Sequence, residues 1–150
     1  MLFNKKEARI LVVDDDRQLA DTLTEFLTKL GYQAATAYGG REGLDKFEQG
    51  DFQLVITDLM MPEMDGMELL EMVTKLDSRT MVIIITDFPT IASAVEAIKK
   101  GAYDYISKPF KMEELEIIVK RALEKHTVFS LTDIFHRLKL RLSSSRSPSD

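Results

Sequence analysis

The 150-residue chain has no cysteine and only two histidines, His126 and His136. Disulfides and thiolate metal sites are therefore excluded. No stretch holds 18 consecutive apolar residues, so no membrane-spanning helix is expected. The N-terminal "MLFNKKEAR" lacks both a long apolar core and a small-residue cleavage site, so no secretory leader is expected and a cytoplasmic location is. Positive charge is in the minority: 20 Lys and Arg stand against 25 Asp and Glu, a net charge of -5. That balance argues against general affinity of the whole chain for nucleic acid.

The charge is unevenly spread. Residues 1–125 carry 16 basic and 23 acidic side chains, whereas residues 126–150 carry four (Arg137, Lys139, Arg141, Arg146) and two (Asp133, Asp150). The shift predicts a main domain over 1–125 and a basic extension over 126–150. In the extension, Leu131, Ile134, Phe135, Leu138 and Leu142 form one helical stripe, with the basic residues mostly off it. The stripe fits a continued fifth helix, a dimerisation helix or a linker to an output domain. The closing "SSSRSPSD" is expected to be disordered.

Over 1–125, short β-branched runs alternate with helix-length segments. The runs are 9–13, 33–37, 53–57, 81–86 and 103–107, and those around 11, 55 and 84 are apolar throughout, as strands buried on both faces must be. Residues 17–30, 41–48, 66–76, 90–100 and 112–125 read as helices. Asp16 suits the N-cap of the first, and Gly31 and Gly101 the C-terminal stops of the first and fourth. Five such units predict an α/β fold: a five-stranded parallel sheet with helices on both faces. Sites in such sheets form beyond the carboxyl ends of the strands.

The residues at the end of each apolar run are chemically pointed. The first run ends in Asp14-Asp15-Asp16, the third in Thr57-Asp58, the fourth in Thr86-Asp87 and the fifth in Ser107-Lys108-Pro109. Two carboxylates about 4 Å apart repel by roughly 4 kcal/mol at an effective dielectric near 20. Lys108 supplies one counter-charge, and an all-oxygen site suits Mg²⁺ for the rest. A carboxylate so held, with a hydroxyl and an ammonium nearby, is built to attack phosphorus and form an acyl phosphate. Asp16 is expected to cap its helix rather than bind metal, and Asp65 to start the third helix. Met60, Met61, Met64 and Met67 are expected to pack. The two histidines lie outside the strand-end cluster, and Tyr103 and Phe110 are expected to be packing residues.

Together "ILVVDDD", "VITDLMMPEMDGMELL", "VIIITD" and "GAYDYISKPF" resemble the receiver domain of two-component response regulators, over roughly residues 8–125, in wording similar to receivers of nitrogen-regulation-type activators. The resemblance implies the flavodoxin-like strand order 2-1-3-4-5. It implies that Asp58 accepts a phosphoryl group from a sensor histidine kinase, a phosphotransfer protein or a small phosphodonor, in a phosphorelay dependent on Mg²⁺. Asp15 would be a direct metal ligand, Asp14 an outer one, and Met60 would give its backbone carbonyl. Thr86 and Lys108 would contact the phosphoryl group, and Tyr105 would be the aromatic switch. Pro109 would follow a cis peptide bond. The domain would catalyse only its own phosphorylation and dephosphorylation. Its readout would be a face made by residues 90–100, 103–107 and 112–125, for homodimerisation or an unidentified output partner, with no membrane or nucleic-acid contact from the receiver itself.

Three positions depart from the pattern or extend it. Asp87 stands where the family has a small residue; a carboxylate there either repels the phosphate or points to solvent, and the second is expected. Met60 and Phe88, two residues beyond Asp58 and Thr86, are expected to act as apolar gates that slow hydrolysis. A haloacid-dehalogenase-like phosphatase is the main rival, since Asp14 and Asp16 satisfy its Asp-x-Asp opening. It lacks a late acidic pair after Lys108, and it leaves Asp58 unexplained. A flavin-binding flavodoxin would need a Ser/Thr/Gly phosphate loop where "DDDRQLA" stands. A degenerate receiver would have lost Asp58, Lys108 or the acidic pair, all of which are present.

Overall fold

The computed structural model describes residues 3–145. After a 3-10 turn at Lys5–Glu7, the elements run β1 (Arg9–Val13), α1 (Arg17–Lys29), β2 (Gln33–Ala37), α2 (Gly40–Gln49), β3 (Leu54–Asp58), α3 (Gly66–Leu76), β4 (Met81–Thr86), α4 (Ile91–Lys99), β5 (Asp104–Ser107) and α5 (Met112–Ser145). All strand pairs are parallel, in the order β2-β1-β3-β4-β5. The expected fold and strand order are both found. The third and fifth strands begin one residue later than the apolar runs suggested, at Leu54 and Asp104.

The alternation of side chains along each central strand divides the core in two. Leu11, Val13, Val55, Val82 and Ile84 pack with Leu44, Phe47, Leu69, Leu70 and Val73, so α2, α3 and α4 cover one face. Ile10, Val12, Leu54, Ile56, Ile83 and Ile85 face the opposite way, onto Leu23, Leu27, Leu115 and Val119 of α1 and α5. Both faces being covered explains the unbroken apolar runs.

Helix ends obey the local chemistry. Asp16 Oδ1 accepts from the Leu19 N–H at 3.2 Å, and Asp65 Oδ1 from the Glu68 N–H at 2.9 Å, so both act as N-caps. Gly31 and Gly101 have φ of +106° and +105°, the left-handed stops the sequence marked. Gly66 has another role. A Cβ there would lie 2.2 Å from the Asp58 carbonyl oxygen, so α3 starts directly against the end of β3.

The charge shift at residue 126 does not interrupt α5, which runs on to Ser145. Among its described residues the last buried one is Leu123. Beyond it Leu131, Ile134, Phe135, Leu138 and Leu142 are all exposed. An ion pair of 3.9 Å from Arg79 to Asp133 ties the first part of the extension to the domain. Of the segment expected to be disordered, Ser143–Ser145 belong to the helix and residues 146–150 lie outside the described residues. Among the described residues no helix is long and apolar enough to cross a membrane.

Candidate phosphoryl and metal site

The parallel order delivers four strand ends to one rim. Asp14 and Asp15 come directly after β1, and Asp58 closes β3 beside them. Thr86 closes β4, one residue past the Ile85 that pairs with Asp58. Lys108 comes directly after β5, and its backbone N–H donates to the Thr86 carbonyl at 2.8 Å, extending the ladder to the site. The Lys108–Pro109 peptide bond is cis, as expected.

Asp14, Asp15 and Asp58 each place a carboxylate oxygen within 4.8 Å of the others. Asp14 is 3% exposed and Asp58 8%, while Asp15 opens to solvent. The Asp16 N–H donates to Asp14 Oδ1 at 2.9 Å. Lys108 Nζ lies 3.3 Å from Asp14 Oδ2 and 3.6 Å from Asp58 Oδ2. The donor set is all oxygen, acidic and clustered, which fits a hard divalent cation.

One ammonium does not balance this charge. Burial and the neighbouring Asp14 push the Asp58 carboxyl up from 3.8 to about 6, against the pull of Lys108 and the Met60 N–H. Burial also raises Asp14, opposed by the Asp16 N–H and Lys108. Burial works against the charge on Lys108, yet Asp14 and Asp58 outweigh it, and its pKa is raised.

The remaining expected residues sort cleanly. Thr86 is fully buried, and its Oγ1 accepts from the Phe88 N–H at 3.1 Å, which leaves the hydroxyl hydrogen free to donate. Tyr105 lies off the rim, half-buried against the α2–α4 core, its hydroxyl paired closely with Ser93 Oγ and accepting from the Thr90 N–H at 3.4 Å. Met61, Met64 and Met67 are buried in the core, whereas Met60 is 59% exposed and Phe88 71%. Tyr103 and Phe110 pack against the α1–α5 core. His126 and His136 sit on α5, and burial lowers the pKa of His126.

Two features were not legible. Ser93 and Thr90 meet Tyr105 only because α4 crosses over β5; the Thr90-x-x-Ser93 cap pattern marked a helix start, not a partner for tyrosine. Asp87 is 61% exposed, as expected, but it does not simply face water. Its Oδ2 lies 3.8 Å from Lys108 Nζ.

Compared with known proteins, residues 10–120 match the family described as the response regulator receiver domain. The chain belongs to the response regulator receiver family. It is 39% identical over 116 residues to the regulatory protein AtoC of Escherichia coli, covering 77% of this chain and 25% of that protein. It is 36% identical over 121 residues to the uncharacterized transcriptional regulatory protein YkoG of Bacillus subtilis, covering 81% and 53%. The chain thus spans about a quarter to a half of these curated relatives. A CheY-like receiver domain protein from Methanospirillum hungatei superposes with a TM-score of 0.77 at 34% identity, over 79% of this chain and 95% of that one. NtrX from Brucella abortus gives 0.79 at 33%, over 84% and 29%. Receivers are signalling domains that take phosphate on an aspartate and interact with histidine kinases or phosphotransfer proteins. This assignment gives the phosphatase alternative no support.

The raised Asp58 carboxyl makes a stability prediction for this receiver in chelator. The folded chain holds a proton that the unfolded chain releases between pH 3.8 and about 6. Asp58 therefore favours folding below that window, and the benefit is lost as pH rises through about 6. Asp58→Asn escapes the loss. Denaturant unfolding should show the variant more stable than native by about 1–3 kcal/mol at pH 7.5, converging toward native near pH 4. A difference independent of pH would contradict this charge balance.

Proposed function

We propose that Asp58 is the phospho-acceptor of this receiver, and that the chain catalyses only its own phosphorylation and dephosphorylation. The observation that carries the reading is the gathering of Asp14, Asp15 and Asp58 within 4.8 Å, with Lys108 Nζ 3.6 Å from Asp58. A carboxylate titrating at about 6 is mostly ionised at neutral pH and is a better nucleophile for its raised basicity. Its oxygen bonds to phosphorus as the bond from phosphorus to the phosphohistidine nitrogen breaks, and the imidazole leaves with a proton. Asp14, Asp15, Asp58 and the Met60 carbonyl would hold Mg²⁺. When bound, the ion neutralises charge on the phosphoryl oxygens.

Lys108 pairs with the new phosphoryl group, and Thr86 donates its hydroxyl to it. Both contacts favour one loop arrangement over another, and the population shifts. Tyr105 is the aromatic switch, and the α4–β5–α5 face is the readout. Ile91, Val95 and Ile98 on α4 and Ile117 on α5 are exposed there, an apolar surface suited to a partner. Residues 1–125 act as the receiver and 126–150 as an extension. The exposed Val128, Leu131, Phe135 and Leu138 have a 3-4-3 spacing that supports pairing with a second copy. A kinase supplied with ATP puts the reaction in the cytoplasm, and the output is passed to a protein partner or an attached domain.

Acetyl phosphate with Mg²⁺ should add one phosphoryl group to Asp58 by peptide mass, Asp58→Asn should take none, and sedimentation should show more dimer after phosphorylation or beryllofluoride treatment. Labelling elsewhere, or repeated turnover of a phosphomonoester, would overturn the reading. Exposed Met60 and Phe88 bracket the site in sequence, and in this reading they slow water's approach. The adduct should decay several-fold faster in Met60→Asn/Phe88→Glu than in native protein; equal lifetimes would remove the gates from the account.

A further inference from the structure

The loop after β4 brings a third carboxylate to Lys108. Its ammonium lies 3.3 Å from Asp14, 3.6 Å from Asp58 and 3.8 Å from Asp87. The first two are buried, and the Asp87 side chain is 61% exposed, so it stands on the solvent side of the ammonium. Lys108 is its one ion-pair partner among the described residues. Its position is set locally: the Phe88 N–H donates to Thr86 Oγ1 at 3.1 Å, closing a tight turn in which Asp87 is the central residue. Any phosphodonor reaching Asp58 passes into the field of this carboxylate.

We propose that Asp87 is a specificity-determining residue that makes Asp58 select phosphodonors by charge, disfavouring doubly charged acyl phosphates relative to singly charged donors with a nitrogen–phosphorus bond. The inference rests on Asp58 being the acceptor. Asp87 takes part of the Lys108 field that would attract a donor, and it repels each negative charge on the donor. At a separation of about 6 Å in a water-like dielectric, one charge pair changes a rate about threefold, so a dianion is slowed by about the square of the factor for a monoanion. Phosphohistidine resembles the favoured class, because its leaving group is an imidazole that departs protonated. The surface carboxylate thus protects the site from small acyl phosphates while leaving it open to a protein donor.

Acetyl phosphate and phosphoramidate separate the classes. At neutral pH the first is a dianion, and the second carries one net negative charge with its nitrogen protonated. With acetyl phosphate, the Asp58 oxygen–phosphorus bond forms as the phosphorus–oxygen bond to acetate breaks. With phosphoramidate, the phosphorus–nitrogen bond breaks and ammonia leaves. Both give the same aspartyl phosphate, so only the approach of the donor differs.

Phosphorylation rates with each donor, at saturating Mg²⁺, test the proposal on the full chain. Asp87→Asn keeps the side-chain size and removes the charge. It should speed acetyl phosphate about tenfold and phosphoramidate about threefold at low salt, and the gap between the donors should shrink in high salt. Asp87→Glu should restore the native donor ratio. Labelling of Asp58 by both donors with a ratio unchanged in Asp87→Asn would overturn the inference and leave the acceptor reading intact. If neither donor labels Asp58 in native protein, the acceptor reading is overturned and this inference with it.

Discussion

One ammonium group holds the site together. Lys108 Nζ lies within 4 Å of three carboxylates at the ends of three different strands, and two of those carboxylates are almost fully buried. A buried charge left without a partner costs several kcal/mol, and Lys108 is the cation that offsets part of that cost for the two buried carboxylates. The position of Lys108 is fixed by backbone rather than by its flexible stem, through the bond from its N–H to the Thr86 carbonyl. The rim is therefore built by the sheet. β1 and β3 are neighbours at its centre, β4 and β5 come next, and every strand runs toward the same edge.

Three residues separate Lys108 from Met112, the first residue of α5. That helix buries Leu115, Val119, Ala122 and Leu123 against β1, β3 and β4, then runs on for more than twenty residues with its apolar stripe exposed. The ion pair at the site and the long helix are thus consecutive parts of one segment. Tyr105, on the strand before, is tied to the N-terminus of α4 through Ser93 and Thr90. The two elements that flank Lys108 in sequence accordingly lead to α4 and α5, the two helices of the proposed readout face.

The sheet was legible because burial on both faces leaves a simple mark. The runs around Leu11, Val55 and Ile84 have no polar interruption until the strand reaches the rim, so Asp14, Asp58 and Thr86 were readable as strand ends. The caps Asp16 and Asp65 and the glycines 31 and 101 were equally plain, since each answers a local backbone need. Strand starts at β3 and β5 slipped by one residue, where the backbones of Gln53 and Tyr103 hydrogen-bond to Arg9, Met81 and Val82 of the neighbouring strands yet stand one residue before the paired register. The unbroken course of α5 past His126 was one of several readings of the extension; a change in surface charge does not break a helix that has no glycine or proline before residue 148. The lean of Asp87 toward Lys108 and the Tyr105–Ser93 pair were hidden, because each depends on how a loop or helix folds over a neighbour distant in sequence.

Calorimetric titration with Mg²⁺ tests the central balance most directly. If the clustered carboxylates form a hard-cation seat whose resident counter-charge is Lys108, native protein takes up one ion per chain. Asp14→Asn and Asp15→Asn should then weaken binding strongly, and Lys108→Ala should tighten it by roughly tenfold or more, because the competing ammonium is gone. Binding that is absent in native protein, or indifferent to all three substitutions, would contradict the account.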